Sequence, residues 1–208
     1  GTLDSNLSAG ETLGIYSGDD FLGNATVDGK TWSFTPSTNL ASNFTHSFTA
    51  RVADAAGNLG AASNPRRLTI DTAAPATGSS INFISDNVGI KSGRVANGAR
   101  TDDRTPTLEG TLDSTLSAGE TLGIYSGDDF LGNATVKGRS WSFTPKTNLP
   151  TNRTYWFRAR VADAAGNLGR LSNTRRLILD TARPAIRTNT HGVKKTSKIS
   201  ADANAYAL

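Results

Sequence analysis

The sequence of 208 residues has no cysteine and no methionine, and it has only two histidines. Without cysteine the chain can form neither disulfides nor thiolate metal sites, so its core alone must hold any fold. A membrane-spanning helix needs about 20 consecutive apolar residues, and no run approaches that length. The lack of methionine in a chain that starts at Gly1 leads us to expect a segment of a longer protein.

The net charge of +4 is concentrated at the C-terminal end. Residues 181–208 contain five basic residues and one Asp, and the preceding part of the chain is therefore neutral. A nucleic-acid-binding surface needs a basic stripe that follows the phosphate backbone, and no such stripe is visible. We therefore expect no nucleic-acid partner, and we expect the polar, basic tail to be mostly disordered.

Residues for catalysis are scarce as well. His46 is replaced by Tyr155 at the equivalent position of the repeat described below, and His191 lies in the tail. No Ser-His-Asp set, zinc-binding HExxH, phosphate-binding glycine loop or dinucleotide fingerprint is recognisable. Acidic pairs such as Asp128-Asp129 fall in a predicted hairpin turn, where solvated carboxylates are common. The expectation is a protein that is not an enzyme.

What the chain does contain is a long internal repeat. Residues 1–76 align without a gap with residues 110–185, at about three-quarters identity. A period near 100 residues is far longer than that of a solenoid repeat, so each unit is predicted to be a domain with its own core. We divide the chain into residues 1–71, an incomplete first repeat without a counterpart to residues 72–109; residues 72–180, a complete second repeat; and the tail, 181–208.

Each repeat reads as short strands separated by turns. Phe157, Ala159 and Val161 alternate with Arg158 and Arg160, the pattern of a half-buried strand, and no segment has a helical period. The strands predicted in the second repeat are 81–85, 107–112, 122–125, 130–136, 141–144, 154–162 and 175–179. Seven short strands in about 100 residues predict an all-β fold of tandem immunoglobulin-like β-sandwich domains, the first of them truncated. The predicted inward residues are Leu108, Leu122, Ile124, Ala134, Val136, Trp141, Phe143, Phe157, Val161, Leu177 and Leu179.

Acidic residues gather in the predicted loops at both ends of the second repeat. A structural calcium ion needs six to eight oxygen ligands, which loops often supply. One predicted calcium site, at the junction with the first repeat, consists of Asp71, Asp113, Glu120, Asp163 and Asn167. A second, at the opposite end, consists of Asp86, Asp102, Asp103 and Asp180. The alternative is that these are ordinary turns, since Asp followed by Gly-Asn closes a tight turn without any metal.

Several motifs in combination resemble the bacterial Ig-like repeats of large surface adhesins and biofilm-associated proteins. They are Val161-Ala-Asp-Ala-Ala-Gly-Asn, Asp71-Thr-Ala-Ala-Pro75, Asp86-Asn-Val-Gly, the run from Thr101 to Thr111, and Trp141-Ser-Phe-Thr-Pro145. The resemblance covers about residues 1–185, and the tail departs from it. It implies an array exported by type I secretion to the bacterial cell surface, with a calcium-stiffened rod that holds an adhesive tip away from the cell. The family's linker and loop acids would correspond to Asp71 and Asp163, with Asp180 and Asp54 as repeat equivalents.

Our leading hypothesis is therefore an extracellular spacer for cell adhesion or biofilm formation, whose partners are neighbouring repeats of the same chain and a surface glycan or host-cell ligand. The alternative is a glycan-binding module attached to a secreted enzyme. It rests on Trp156, which replaces Ser47 of the first repeat and shares its strand with Tyr155, Arg158 and Arg160. A purely structural domain without metal is the third reading.

Overall fold

A computed structural model describes residues 1–184, and every one of its regular elements is a β-strand. No helix in this described part is long and apolar enough to cross a membrane. The first repeat contains β1 (Thr12–Ser17), β2 (Asp20–Asn24), β3 (Thr26–Asp28), β4 (Thr31–Ser33), β5 (Phe44–Ala53) and β6 (Arg66–Ile70). The second repeat contains β7 (Ser79–Asp86), β8 (Gly93–Val95), β9 (Arg100–Thr101), β10 (Thr107–Leu112), β11 (Thr121–Ser126), β12 (Asp129–Asn133), β13 (Thr135–Lys137), β14 (Ser140–Phe143), β15 (Arg153–Ala162), β16 (Leu168–Leu171) and β17 (Arg175–Leu179).

The second repeat is built from two sheets. One has five strands in the order β13-β14-β10-β7-β8, and the other has the order β12-β11-β15-β17-β9, with β16 paired to β15. Nearly all neighbours are antiparallel, and the exception is the short parallel pairing of β9 with β17. Two antiparallel sheets that share one core are consistent with a β-sandwich.

One hydrophobic cluster joins the two sheets of the second repeat. Leu108 and Trp141 enter it from the first sheet, and Phe157, Val161 and Leu177 enter it from the second. Each of these side chains is almost completely buried. The predicted core is confirmed, except that Ala134 and Val136 lie at its margin and are only partly buried. The alternation along β15 explains the burial, because every second residue faces the opposite sheet.

The predicted strands are mostly confirmed, and the differences are local. Strands β10 and β17 have the predicted bounds. The single strand predicted over 130–136 is divided into two strands, β12 and β13, and Ala134 lies between them. Strands β8, β9 and β16 are not among the predicted strands, and β8 and β9 lie between the predicted strands 81–85 and 107–112.

Strands β1 to β6 of the first repeat correspond to β11, β12, β13, β14, β15 and β17 of the second, and residues 59–62 form no strand equivalent to β16. Strands β2-β1-β5-β6 form a four-stranded sheet, and β3 and β4 form a separate pair. Leu68 in β6 is 51% exposed, whereas its equivalent Leu177 is 0% exposed. The inner side of β6 is therefore less covered than the equivalent side of β17. The predicted disorder of the tail concerns residues 181–208, of which 185–208 lie outside the described residues.

Candidate functional site at the repeat junction

The loop after β15 is closed by the carboxylate of Asp163. Its Oδ1 accepts hydrogen bonds from the backbone N–H groups of Ala165 (2.9 Å) and Asn167 (2.8 Å). Its Oδ2 accepts a third from Asn167 Nδ2 at 3.0 Å. The bond from the Asn167 side chain, helped by these backbone donors, lowers the pKa of Asp163 below its usual range. Gly166 has a φ of 90°, a left-handed conformation that glycine adopts without strain.

The same loop contacts the linker that leaves the first repeat. Asn167 Nδ2 also donates to the backbone oxygen of Asp71 at 3.0 Å, across 96 positions of sequence. A Cβ built on Gly169 would lie 2.8 Å from the carbonyl oxygen of Pro75, so the linker lies too close for any larger residue there. We call the bond from Asn167 to Asp71, together with the approach of Pro75 to Gly169, the linker contact. It joins two residues of the predicted calcium site directly, Asp71 through its backbone oxygen and Asn167 through its side-chain amide, which also donates to Asp163.

The remaining predicted ligands at this end are paired with other groups. Asp113 forms a salt bridge with Arg170, and both side chains are more than half exposed. Glu120 Oε2 accepts a hydrogen bond from the backbone N–H of Ser117 at 2.8 Å, which closes a local turn. Asp71 Oδ1 accepts a bond from the backbone N–H of Ala73 at 3.0 Å. Each carboxylate thus already has a donor in its own neighbourhood.

At the opposite end, two of the predicted acids are buried and fully engaged. Asp103 is 0% exposed, and its oxygens accept bonds from the backbone N–H groups of Asn87 (3.1 Å) and Thr105 (2.8 Å). Asp86 accepts from the hydroxyl of Thr101 at 2.5 Å and from the backbone N–H of Val88 at 3.0 Å. These carboxylates stabilise the long β7–β10 connection in the way that buried polar groups generally do, by satisfying backbone donors.

The other two acids of the second cluster lie at the surface. Asp102 is exposed and lies close to Gly89. Asp180 forms a salt bridge with Arg100 at 2.7 Å, and its Oδ1 accepts a bond from the backbone N–H of Ala182 at 3.1 Å. Asp180 is therefore held by a cation on β9.

Within residues 1–184, no group of three or more His, Cys, Asp or Glu side chains is gathered as a metal site. Arg170 and Arg100 supply positive charge beside two of the carboxylates. Backbone N–H groups donate to five others, which are Asp71, Asp86, Asp103, Glu120 and Asp163. A calcium ion with six to eight oxygen ligands at the junction would have to displace Arg170 from Asp113 and gather oxygens from the separate segments. The calcium prediction is considered again below as a proposal.

Trp156 lies on the outer face of β15, as its sequence position predicted, and is 52% exposed. It pairs across the sheet with Arg176 of β17, and Arg158 follows it on the same face. Tyr155, which we grouped with it, points the other way. Tyr155 is buried, its hydroxyl donates to the Pro150 carbonyl at 2.7 Å, and burial raises its pKa. The candidate aromatic surface is thus a single tryptophan flanked by arginines.

Comparison with known proteins adds no family to these observations. No protein-family model matches the chain, and no curated protein matches it. The assignment of a role therefore depends on the junction and on the two repeats themselves.

Sequence reasoning missed the cations that neutralise the acidic loops. Arg170 pairs with Asp113, and Arg100 pairs with Asp180. A signal for Arg170 was present, because the equivalent residue of the first repeat is Ala61 while Asp113 is matched by Asp4.

Proposed function

We propose that this chain is a non-enzymatic spacer segment of tandem immunoglobulin-like repeats, acting outside a bacterial cell in adhesion or biofilm formation. The observation that carries the proposal is the linker contact. One side chain, Asn167, bonds both its own loop and the chain that arrives from the preceding repeat. A repeat that holds its incoming linker in this way restricts the hinge between neighbours, which is what a spacer needs.

The first repeat has the same loop, which supports the idea of a repeating junction. Asp54 accepts bonds from the backbone N–H of Asn58 at 2.8 Å and from Asn58 Nδ2 at 2.8 Å. The side chain of Asn58 lowers the pKa of Asp54 in the same way. Asn58 is the equivalent of Asn167, so each repeat presents one amide for a linker.

Calcium at the junction is the second part of the proposal. The acids at the linker, Asp71, Asp163, Asp113 and Glu120, belong to three separate segments, and a bound cation would offset their mutual repulsion. The salt bridge of Asp113 with Arg170 is exposed on both sides, and such pairs contribute only about 0–1 kcal/mol, so a cation could displace the arginine. The spacer role itself does not require the ion.

Small-angle scattering of the chain, in millimolar calcium and in excess chelator, tests both parts. We expect Asn167→Ala to broaden the distance distribution in either solution, because the bond to Asp71 is lost. Asn58→Ala is the matched control, since it changes the same residue of the same loop without touching this linker. If Asn167→Ala leaves the distribution of the wild type unchanged, the linker contact does not restrict the hinge.

The same experiment tests calcium by comparing the maximum dimension of the chain in calcium and in chelator. If calcium stiffens the junction, the wild type has a larger maximum dimension in calcium than in chelator, and Asp163→Ala removes the difference. Equal dimensions in the two solutions would remove calcium from the proposal and leave a spacer held by hydrogen bonds alone.

A glycan-binding module is the second candidate, and the exposure of Trp156 favours it. An exposed indole ring offers an apolar platform with a polar edge, and the adjacent Arg158 and Arg176 supply hydrogen-bond donors. We expect Trp156→Ser, which restores the residue type of Ser47, to abolish any signal of the chain on a glycan array. Phe130→Ser, at another exposed aromatic of the same sheet, is the control. A wild type without signal, or a signal that survives Trp156→Ser, would reject this candidate.

A further inference from the structure

Positive charge is concentrated on the outer side of β15 and β17 in the second repeat. Trp156 of β15 lies opposite Arg176 of β17. Arg158 and Arg160 follow Trp156 at alternate positions of β15, so these side chains lie on the same side of the sheet. We call this surface, made of Trp156, Arg158, Arg160 and Arg176, the arginine face. Strands β11, β15 and β17 contain no Asp or Glu, so no acid of these strands neutralises it.

Hydrogen bonds hold two of these guanidinium groups in place. The Nε–H of Arg158 donates to Thr174 Oγ1 at 2.9 Å, and the Nε–H of Arg160 donates to the Gly169 carbonyl at 2.9 Å. Each bond uses one of the five N–H donors of a guanidinium group. The other four donors of each arginine can therefore bind a ligand without breaking the bond that fixes the side chain.

The loop before β9 fixes Arg176. The backbone N–H of Arg176 donates to Asn97 Oδ1 at 2.7 Å, and its carbonyl accepts a bond from the N–H of Gly98 at 2.7 Å. A Cβ built on Gly98 would lie 3.4 Å from Arg176 Nε, so the side chain runs along this loop. The exposed ring of Trp156 thus has an arginine with a fixed backbone opposite it in the next strand.

The three arginines of the arginine face have no acidic partner within residues 1–184. Arg100 and Arg170 form salt bridges with Asp180 and Asp113, and no salt bridge in this described part involves an arginine of the arginine face. Like charges at neighbouring positions of a sheet repel each other. A bound anion would offset this repulsion, so the arginine face is suited to an anionic ligand.

The first repeat has only part of this set of side chains. Ser47 and Thr49 are the equivalents of Trp156 and Arg158, whereas the other two arginines have arginine equivalents. The second repeat therefore adds an indole ring and a positive charge at alternate positions of one strand. The chain thus contains its own comparison, in which the equivalent strand pair of the first repeat has fewer charges and no indole.

The chemistry of the arginine face matches an acidic sugar chain. An indole ring is a flat apolar platform, against which the C–H groups of a sugar ring can pack. A guanidinium group binds a carboxylate through two parallel N–H···O bonds. Alternate residues of a strand are about 7 Å apart, so a ligand laid along β15 contacts Trp156, Arg158 and Arg160 in succession. A polyuronate, which carries a carboxylate on each sugar, presents both kinds of group repeatedly.

A nucleic acid fits the arginine face less well. Its binding depends mainly on a broad basic surface that follows the phosphate backbone. Residues 1–180 are neutral overall. Acidic loops also lie at both ends of the second repeat, with Asp113 and Asp163 at one end and Asp102 and Asp180 at the other. A small group of three cations therefore favours a ligand that contributes hydroxyl groups as well as charge.

We propose that the arginine face binds an acidic polysaccharide of the polyuronate type. Trp156 is the platform for a sugar ring, and Arg158 and Arg176 bind the carboxylates beside it. Arg160 extends the row of donors towards the linker contact, because it is bonded to Gly169. This inference rests on the glycan-binding candidate of the proposed function and names its ligand class, and it depends neither on the spacer role nor on calcium.

The test measures binding of a fluorescently labelled oligogalacturonate to the whole chain by anisotropy, with a chelator present so that calcium cannot bridge the two. We expect saturable binding that weakens as the salt concentration rises. Trp156→Ser and Arg158→Thr restore the residues of the first repeat, and each should weaken binding by about tenfold or more. Arg158→Lys should also weaken it, because lysine keeps the charge but cannot form the two parallel bonds.

Two controls separate the arginine face from charge in general. Arg67→Ala removes the equivalent residue of the first repeat, so Arg176→Ala should weaken binding and Arg67→Ala should not. The methyl ester of the same oligosaccharide keeps the sugar rings but loses the carboxylates, and we expect it to bind at least about tenfold more weakly. Thermal unfolding of each variant checks that the fold is retained.

Four results would overturn the proposal. Equal binding of the acid and its methyl ester would reject the role of charge and leave the glycan-binding candidate in place. Binding that none of the variants weakens would mean that the basic residues of 181–208 attract the ligand. Tighter binding of a single-stranded oligothymidylate, lost in the same variants, would assign the arginine face to nucleic acid. The fourth is the absence of saturable binding of the oligogalacturonate.

Discussion

At the scale of single residues, the loop around Asp163 shows how a short motif produces a fixed geometry. The carboxylate accepts one side-chain and two backbone hydrogen bonds within five residues, and the glycine between them permits the turn. The amide of Asn167 has a second hydrogen, which reaches the Asp71 carbonyl. The loop and the linker are therefore held by the same residue, and ionisation of Asp163 affects both.

This coupling predicts a pH dependence of the junction. The pKa of Asp163 is lowered in the folded chain, so its stabilising effect is complete above the pKa of an ordinary Asp, about 3.9, and is lost as the pH falls through the lower folded value. We expect the Asn167 side-chain amide signals in NMR spectra to shift only in that acid range. Asn167→Ala should return the pKa of Asp163, measured from its carboxyl resonance, towards the ordinary value. A titration near 3.9 in the wild type would show that these bonds do not form in solution.

At the scale of strands, the sequence predicted those elements that carry an alternating pattern of their own. The long strand β15 and its partner β17 alternate apolar and polar residues, and their burial follows that alternation. Strand β8 has three residues and β9 has two, which is too few for a pattern to be recognised. Both depend on partners far away in the chain, since β9 pairs with β17 and β8 with β7. Their existence is a consequence of tertiary contacts that local sequence does not encode.

Strand β16 is another strand that the local sequence did not predict, and the two repeats differ in it. In the second repeat Leu168 and Leu171 pair with Ala162 and Arg160 of β15. In the first repeat, only an isolated bridge between Ala53 and Leu59 is left. The two segments differ where Ala61 and Ala62 replace Arg170 and Leu171, and the segment of the second repeat also lies against the linker, where Pro75 approaches Gly169.

The sequence also predicted only part of the candidate site. The repeat pattern and the expected sandwich topology brought Asp71, Asp163 and Asn167 to one end, and the linker contact joins them. The same reasoning assigned Asp113 and Asp180 to metal sites, whereas each lies against an arginine. The long side chain of an arginine can extend in several directions from a strand. The strand pattern therefore does not show which carboxylate each arginine contacts.

At the scale of the whole molecule, two repeats of similar sequence differ in how deeply their equivalent apolar side chains are buried. The second repeat closes one core between two sheets, while the equivalent side chains of the first repeat, such as Leu68, are less buried. Burial of apolar surface is the main favourable term in folding, so the two repeats should differ in stability despite their similarity. We expect calorimetry of the whole chain to show two transitions, with the first repeat unfolding at the lower temperature.

A pair of equivalent substitutions assigns those transitions. Leu177 is 0% exposed, and Leu177→Ala should destabilise the second repeat by about 2–5 kcal/mol through the lost contacts and the cavity left behind. For a domain of this size, that lowers the upper transition by roughly 10 °C or more. Leu68→Ala removes the same atoms from a side chain that is 51% exposed, so the lower transition should move by only a few degrees. Equal shifts for the two variants would mean that Leu68 is covered in solution.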